Sequence, residues 1–344
     1  MGSTMIIEKA GMAWLGKVLA VNPIEGADKI QQTEVVCGEG GKWTGVTTKD
    51  VQVGYTVVVF LPDAVVPQIE PLAFMEKHKW IVRPCRLRGC PSEVLIIPEV
   101  VFAAQMANWA VNTGIVFVGM DMTAMLGVKK YEKDIPTNIA GDVYGNFPSF
   151  IPKTDELNFQ AVPEFRKALI GKQYFASEKY DGSSLTIYHN NGHIGVCSRN
   201  LELKESPKNT GWQIVERYRL KEKLPEFGNI ALQMEIIGAG IQKNPLKLSH
   251  TEVRVFDIYD VDNGEYLSWV AANTISNVLG IPFAKWIYQG KYPDYTDNEL
   301  REMANGGYVD VAMPREGLVF RPTQTMRVDG RRLSFTVLNL DYKH

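Results

Sequence analysis

Short apolar segments separated by turn-forming residues dominate the first hundred positions of the chain. The predicted strands are Ala13–Val21, Gln32–Val36, Thr56–Phe60 and Val94–Ile97. Asn-Pro, Glu-Gly-Gly and Leu-Pro-Asp sequences between them supply the turns. Many short strands within about a hundred residues indicate a small closed β-barrel, and the OB fold is a common binding barrel of that size. A generic barrel without a binding partner stays open as the alternative.

The rest of the chain mixes strand and helix patterns. Two strands, Leu185–Tyr188 and His193–Cys197, flank an Asn-Asn-Gly turn and predict a hairpin. Ser268 is the expected N-cap of a helix over Trp269–Leu279, and Gly280 follows the last residue of that helix. The predicted helices are Trp212–Leu220, Trp269–Leu279 and Asn298–Ala304.

We therefore predict an α+β protein with two domains. The N-terminal part is an OB-like β-barrel, and the C-terminal part has antiparallel sheets with flanking helices. Between them, a segment rich in Gly, Pro, Asn and Asp shows no sustained period and indicates a connector. The predicted bounds are 1–118 for the barrel, 119–150 for the connector and 151–344 for the second domain.

The charge balance restricts how this chain can contact nucleic acid. Its formal net charge of −2 over 344 residues gives no global basic character, so any such contact needs a local patch. Basic residues surround Trp80 without an intervening acid, an arrangement that suits a single strand or a phosphate backbone. The predicted RNA-binding residues are Lys77, Lys79, Arg83, Arg86 and Arg88.

Cysteine spacing and hydropathy disfavour zinc and membrane roles. The 4 cysteines form no C-x-x-C pair, and the His189–His193 spacing spans a turn, so no structural zinc site is expected. Without a disulfide framework, the chain is expected in a reducing compartment, cytoplasmic or nuclear. The apolar run 94–120 contains Pro98 and Glu99, which are costly in lipid, so no membrane partner is expected.

The segment from Ser177 to Ser184 contains a Lys-x-Asp-Gly pattern formed by Lys179, Asp181 and Gly182. A lysine amine has an ordinary pKa of about 10.4, so a nucleophilic lysine needs help to lose its proton. A neighbouring cation gives that help, and a nearby carboxylate can hold the cation. The pattern occurs by chance in about one chain in ten of this size, so alone it fits a surface turn equally well.

Four further segments follow Lys179 in an order that supports the same chemistry. Arg199 ends the predicted hairpin, and Glu235 lies in an apolar strand where a carboxylate needs a cation or a sugar hydroxyl. Phe256 offers an aromatic face for a purine, and Glu316 precedes an apolar strand that ends at Arg321. Each residue alone is more often structural, so the interpretation depends on the whole series.

The series resembles the nucleotidyltransferase motifs of the covalent ligase and mRNA-capping superfamily. More narrowly, it resembles the ATP-dependent RNA ligases of the Deinococcus and Naegleria type, which place an OB domain before the catalytic domain. The segments Gly238–Asn244 and Phe147–Glu156 are similar to stretches of that group. The resemblance extends over nearly the whole chain.

The resemblance implies a reaction in three steps on nicked RNA, carried out by a monomer. Lys179 forms a lysyl-AMP from ATP, the AMP passes to an RNA 5′-phosphate, and a 3′-hydroxyl displaces it. Mg²⁺ or Mn²⁺ suits each step. The implied catalytic residues are Lys179, Asp181, Glu235 and Glu316, and the last three are the implied metal residues. The implied nucleotide-binding residues are Glu178, Lys179, Arg199, Glu235, Phe256 and Glu316.

Two positions depart from the pattern of the family. Thr336 stands where a lysine is expected, and Asn158 stands where an arginine is expected. Losing a cation that stabilises a transferring phosphate raises the barrier. The candidates to compensate are Arg331, Arg332, Lys243 and Lys343. Two alternatives stay open: a ligase impaired in self-adenylylation that uses pre-adenylated ends, and a non-catalytic RNA-binding protein.

Overall fold

The chain divides into two compact units. The computed structural model describes residues 5–7, 10–38, 41–132 and 142–343. Unit 1 comprises Met1–Asp134, Phe159–Pro163 and Leu340–His344, and unit 2 comprises Ile135–Asn158 and Glu164–Asn339. In the described ranges, no helix is long and apolar enough to cross a membrane.

Unit 1 is built mainly from strands. They are β1 (Met5–Ile7), β2 (Ala13–Pro23), β3 (Ile30–Cys37), β4 (Gly41–Thr48), β5 (Thr56–Phe60), β6 (Ala64–Val65), β7 (Cys85–Leu87), β8 (Cys90–Ser92), β9 (Leu95–Pro98) and β10 (Lys129–Glu132). The main sheet has the order β4-β3-β2-β5-β9 with antiparallel neighbours. A sheet β1-β10-β6 and a hairpin β7-β8 accompany it, together with helix α1 (Ala103–Thr113).

Strand β5 shows why the apolar segments of unit 1 form this sheet. Its sequence Thr-Val-Val-Val-Phe lacks alternation, and all four apolar residues are fully buried. Val58 and Phe60 pack in one hydrophobic cluster, whereas Val57 and Val59 pack in another. A continuous apolar run therefore marks a strand that is covered on both faces. The prediction for Thr56–Phe60 is confirmed to the residue.

Strand β4 was not predicted, because its sequence contains two glycines and little apolar alternation. Gly45 has a packing reason: a methyl group there would lie 2.6 Å from Cδ1 of Ile96 on β9. Glycine at this position therefore permits close contact between strands, although it lowers the strand propensity that a sequence pattern can show.

The described residues from 142 onward form two larger sheets and several helices. The strands are β11 (Val143–Asn146), β12 (Leu157–Asn158), β13 (Gln173–Lys179), β14 (Ser183–Asn190), β15 (His193–Cys197), β16 (Leu201–Leu203), β17 (Ile230–Gly238), β18 (Thr251–Asp260), β19 (Glu265–Tyr266), β20 (Trp286–Lys291), β21 (Gly317–Pro322), β22 (Arg327–Val328), β23 (Arg331–Arg332) and β24 (Phe335–Leu338). The helices are α2 (Pro163–Leu169), α3 (Thr210–Arg217), α4 (Leu220–Lys223), α5 (Trp269–Leu279) and α6 (Asp297–Ala304).

One sheet has the order β11-β16-β15-β14-β17-β18-β19, and the other has the order β12-β24-β21-β13-β20. Their neighbours are antiparallel except for β12 and β24, which are parallel. The protein is therefore a mixed, sheet-rich α/β structure. Part of the predicted connector lies outside the described residues, and its described part contains β10 and β11.

The hairpin and helix predictions can be compared directly with unit 2. The hairpin of β14 and β15 and helix α5 are confirmed, and the Ser268 side chain accepts a hydrogen bond from the Ala271 N–H as expected of an N-cap. The helix predicted over Trp212–Leu220 ends early, at Arg217. Arg219 adopts the left-handed conformation, with φ of 55°, and this separates α3 from α4.

A row of stacked aromatic rings covers one face of the five-stranded sheet. Tyr174 stacks on Phe320 with ring centroids 6.0 Å apart, and Phe320 stacks on Phe335 at 5.2 Å. All three side chains are buried. Because successive strand residues point to opposite faces, Lys179 lies on the face away from this row.

The turn Tyr180-Asp181-Gly182 joins the two sheets, since β13 belongs to one and β14 to the other. A methyl group at Gly182 would lie 2.2 Å from the carbonyl oxygen of Ile236 and 2.8 Å from Cγ2 of Ile237. Glycine is required here because the turn lies directly against β17, and a side chain would force the two apart.

We expect Gly182→Ala to lower the free energy of unfolding by about 1–3 kcal/mol, the usual cost of overpacking. Gly145→Ala is the matched control, because Gly145 has open space around its Cα. Urea unfolding of both variants measures the difference. Equal stability of the two variants would contradict the steric role of Gly182.

Candidate active site

The pairing of β13 with β21 brings Lys179 to a carboxylate. Lys179 is the last residue of β13 and pairs with Gly317, the first residue of β21. Glu316 directly precedes that strand, and its Oε2 lies 2.7 Å from Lys179 Nζ. Glu316 is buried, whereas Lys179 remains partly exposed. The structure thus joins the first and last residues of the predicted catalytic series.

The hydroxyl of Tyr308 links the backbone around three of the predicted site residues. It donates to the Lys179 carbonyl oxygen at 3.2 Å, and it accepts from the N–H groups of Asp181 at 3.2 Å and Glu316 at 3.3 Å. One donor and two acceptor positions are the full capacity of a phenol. Burial raises the pKa of Tyr308, so the phenol stays protonated and able to donate.

Arg315 and Asn339 hold the segment before β21. The buried Arg315 guanidinium donates to the carbonyl oxygens of Met303, Ala304 and Gly307, and so satisfies the carboxyl end of α6. Asn339 Nδ2 donates to the Arg315 carbonyl oxygen at 2.9 Å. Arg315, the residue before Glu316, is therefore held through its side chain and through its carbonyl oxygen. These contacts help to position Glu316.

Glu178 points away from the Lys179 face. Its buried carboxylate accepts hydrogen bonds from the Tyr180 hydroxyl and the Val309 N–H, both at 2.7 Å. Burial raises the pKa of Glu178, and these two donors oppose the rise. Tyr180 in turn stacks on Tyr308 at 5.2 Å. Glu178 is thus held by two protein donors, and its nucleotide-binding role stays a prediction.

Glu235 lies beside the Lys-x-Asp-Gly turn. It is half-buried on β17, where its Cα partners are Ser184 on β14 and Arg254 on β18. Its Cγ lies 3.0 Å from the position that a Cβ of Gly182 would take. Across the ranges that the structure describes, no three His, Cys, Asp or Glu side chains are grouped to hold a metal ion.

Arg199 and Phe256 occupy other parts of unit 2. Arg199 Nη2 lies 2.5 Å from Asp155 Oδ1, so it pairs with the segment before β12. Phe256 is half-buried at an irregularity in the pairing of β17 and β18, and it lines a pocket together with Phe175 and Arg321. Both residues are half-buried, and the roles predicted for them stay predictions.

The basic patch of unit 1 carries less unpaired charge than its sequence indicates. Arg83 forms an ion pair with Asp63, and Arg86 Nε lies 3.4 Å from Asp341 Oδ1. Arg88 donates to the Gly26 carbonyl oxygen at 3.1 Å. Lys77 and Lys79 are exposed at the end of a 3₁₀ helix. The two carboxylates are distant in sequence, so the local pattern did not reveal them.

The two departures from the family pattern are strand partners. Asn158 pairs with Thr336 where β12 and β24 run parallel. Thr336 lies on the Lys179 face, in the row formed with Ser177 and Val319, and its hydroxyl donates to the Leu318 carbonyl oxygen. The site therefore has two neutral residues side by side on this face.

Arg331 and Arg332 were predicted to compensate for the missing cations at positions 158 and 336. Both are paired with carboxylates. Arg331 Nη2 lies 2.7 Å from Glu164 Oε1, and Arg332 makes two hydrogen bonds of 2.6 Å to Asp257. Lys343 belongs to unit 1, and Lys243 is exposed. Because both arginines already bind carboxylates, these contacts give no support to the prediction that Arg331 or Arg332 replaces the cations expected at positions 158 and 336.

Comparisons with known proteins show which family this chain resembles. The family model described as RNA ligase matches residues 172–335. An apo aspartate-to-alanine mutant of Naegleria gruberi RNA ligase is 31% identical, with a TM-score of 0.81 and coverage of 96% of each chain. A lysine-to-methionine mutant of that ligase with AMP and Mn is 31% identical, with a TM-score of 0.80 and coverage of 95% of this chain and 96% of that one. The ligase with PPi is 32% identical, with a TM-score of 0.80 and the same coverage. A comparison with curated sequences gives no match.

We expect Tyr308→Phe to lower the free energy of unfolding by about 1–3 kcal/mol, because two buried N–H groups lose their acceptor. Tyr259→Phe is the control, since in the described part of the chain the Tyr259 hydroxyl makes no hydrogen bond. Urea unfolding compares the two. If Tyr308→Phe is as stable as the control, the phenol does not connect the site backbone as described.

Proposed function

The chain belongs to the RNA ligase family, and we propose that it seals RNA 5′-phosphate to 3′-hydroxyl ends through lysyl-AMP and RNA-adenylate intermediates. The observation that carries this proposal is the contact between Lys179 Nζ and Glu316 Oε2, 2.7 Å apart, beside a turn that contains Asp181. A solvated surface lysine would not be held against a buried carboxylate at the end of a core strand.

The first step uses the Lys179 amine as a nucleophile. An N–P bond forms to the α-phosphorus of ATP, the bond to the bridging oxygen breaks, and pyrophosphate leaves. The ion pair with Glu316 holds the amine in place before the reaction, and the Glu316 carboxylate takes the proton that the amine must lose to attack. In the second step an RNA 5′-phosphate oxygen takes the AMP from Lys179. In the third step a 3′-hydroxyl attacks the activated 5′ end and AMP leaves.

The carboxylates of Asp181, Glu235 and Glu316 would hold Mg²⁺ or Mn²⁺. The related Naegleria gruberi structures contain ATP or AMP together with Mn. Hard carboxylate oxygens suit these ions, and Mg²⁺ commonly takes one or two carboxylates with phosphates and waters, so a prearranged trio is not required. When bound, the cation neutralises phosphate charge and disfavours the protonated amine.

Other predicted residues receive roles by their place in unit 2. Phe256 is the platform on which the adenine stacks, and Arg199 contacts the 5′-phosphate of the incoming RNA. Glu178 acts on the nucleotide indirectly, since its carboxylate fixes Tyr180 and the Val309 backbone. These assignments rest on the motif positions together with the pocket that Phe256 lines.

The predicted barrel, residues 1–118, is proposed to be an OB-type RNA-binding domain for nicked duplexes. A connector over 119–150 and a catalytic domain over 151–344 follow it in the proposal. Of the five predicted RNA-binding residues, Lys77, Lys79 and Arg88 are exposed. We expect a monomer in a reducing compartment, cytoplasmic or nuclear, in keeping with the four free cysteines.

We expect α-labelled ATP with magnesium to label the chain covalently, with an acid-labile bond typical of a phosphoramidate. Lys179→Ala should abolish the label, whereas Lys208→Ala, an exposed lysine of unit 2, should retain it. Gel autoradiography with labelled ATP, GTP and NAD measures the selectivity. A label that survives Lys179→Ala would exclude Lys179 as the nucleophile.

A ligase impaired in self-adenylylation is the second candidate, and the neutral pair Asn158 and Thr336 favours it. A lysine at 336 would place a cation on the Lys179 face, where a transferring phosphate needs one. A non-catalytic RNA-binding protein is disfavoured, because the Lys179–Glu316 contact is intact.

For this candidate, the natural chain should seal a pre-adenylated nick faster than a 5′-phosphate nick with ATP. Thr336→Lys should raise the rate of lysyl-AMP formation by about 10- to 100-fold. Thr274→Lys adds the same charge on an exposed position of α5 and should leave the rate unchanged. Single-turnover labelling gives the rates, and equal rates in all three proteins would exclude a defect at Thr336.

A further inference from the structure

A pocket in unit 2 combines aromatic walls with a buried arginine. Residues of both sheets and of α5 contribute to it. Its lining includes Phe175, Phe256, Asp257, Trp269, Arg321 and Arg332. Flat aromatic side chains on several sides suit a planar ring that stacks or packs edge-on. The pocket is adjacent to Phe256, the proposed base platform.

Arg321 has hydrogen-bonding capacity that the protein does not use. Its side chain is 3% exposed, and its Nη2 lies 2.6 Å from Glu156 Oε1 and 3.3 Å from Asp257 Oδ2. Its Nε and Nη1 are buried without a hydrogen-bond partner among the described residues. A buried donor without an acceptor costs free energy, so such groups call for an explanation.

Arg332 explains why Asp257 does not satisfy those donors. Both Asp257 oxygens accept hydrogen bonds of 2.6 Å from Arg332, whose guanidinium also lies 3.6 Å from the centre of the Tyr266 ring. Asp257 is buried, and its orientation is set by this pair of bonds. Arg321 therefore keeps only a longer contact with Asp257, and its Nε–H and Nη1–H groups have no acceptor among the residues that the structure describes.

We propose that Arg321 is a nucleotide-binding residue whose Nε–H or Nη1–H donates to a ring nitrogen of the adenine stacked on Phe256. Arginine is a donor only, so its ligand atom must be an acceptor, and adenine ring nitrogens are acceptors. This inference rests on the proposed function, which supplies the nucleotide. It adds a residue that reads the base to those that hold the phosphates and the metal.

The local charges favour a base over a phosphate as the partner of Arg321. Glu156 and Asp257 already approach the guanidinium, and both carboxylates would repel a phosphate brought to the same place. A neutral heteroaromatic ring meets no such repulsion, and the aromatic side chains of Phe175 and Phe256 line the same pocket. The orphan donors and the aromatic lining thus point to one kind of ligand.

The test compares ATP with 1-deaza-, 3-deaza- and 7-deaza-ATP, each of which replaces one ring nitrogen by carbon. Isothermal titration calorimetry with magnesium on the full chain carrying Lys179→Ala measures binding without covalent reaction. We expect one analogue to bind about tenfold or more weakly than ATP, the loss typical of a hydrogen bond to a charged donor. In the same chain with Arg321→Lys, that difference should fall to about twofold or less.

Arg321→Lys keeps the positive charge beside Glu156 and Asp257, and thermal unfolding reports whether it folds. If all three analogues bind like ATP to the Arg321 protein, the inference is overturned whatever the variant does. A difference that persists unchanged in Arg321→Lys overturns it as well. If ATP neither binds nor labels Lys179, the proposed function fails together with this inference, whereas normal labelling with equal analogue binding defeats the inference alone.

Discussion

The antiparallel register between β13 and β21 is the constraint on which the site depends. It sets Lys179 opposite Gly317, so Glu316 comes within reach of the amine. A shift of one residue would turn Lys179 to the opposite face of the sheet. The stacked rings of Tyr174 and Phe320 oppose that shift, because both are buried on the other face and a slip would separate them. The buried aromatic rings thus stabilise the register that places Lys179 beside Glu316 on the opposite face of the sheet.

Gly182 and Gly317 allow close packing of the backbone, and neither is needed for the conformational freedom of glycine. A methyl group at Gly317 would lie 2.4 Å from the Val337 carbonyl oxygen, and one at Gly182 would lie 2.2 Å from that of Ile236. Neither residue has a left-handed φ. Each glycine lets backbone segments approach beside a functional residue, and Tyr308 then joins those segments through one hydroxyl. The positions of Lys179, Asp181 and Glu316 are coupled for this reason.

The sequence predicted those secondary-structure elements that depend on residues close together in the chain. The β14–β15 hairpin depends on its turn, and α5 depends on Ser268 and Gly280, so both were recognisable. Tyr308 gave no signal, because its role arises from contacts with residues as far as 129 positions away. The pairing of Arg83 with Asp63 was hidden for the same reason. Order along the chain identified the candidate site, whereas its supporting contacts required the fold.

Three cations of unit 2 are balanced by carboxylates, and these ion pairs would affect how a nucleotide binds. Arg254 pairs with Glu252 at 2.7 Å, Arg332 pairs with Asp257, and Lys179 pairs with Glu316. A triphosphate brings several negative charges to this balanced surface, and Asn158 and Thr336 add none of the opposite sign. In the proposed reaction, Asp181, Glu235 and Glu316 would hold Mg²⁺ or Mn²⁺, and a cation at Glu316 would compete with Lys179 for that carboxylate. Besides neutralising phosphate charge, such a cation would free Lys179, the proposed nucleophile, from the ion pair that positions it.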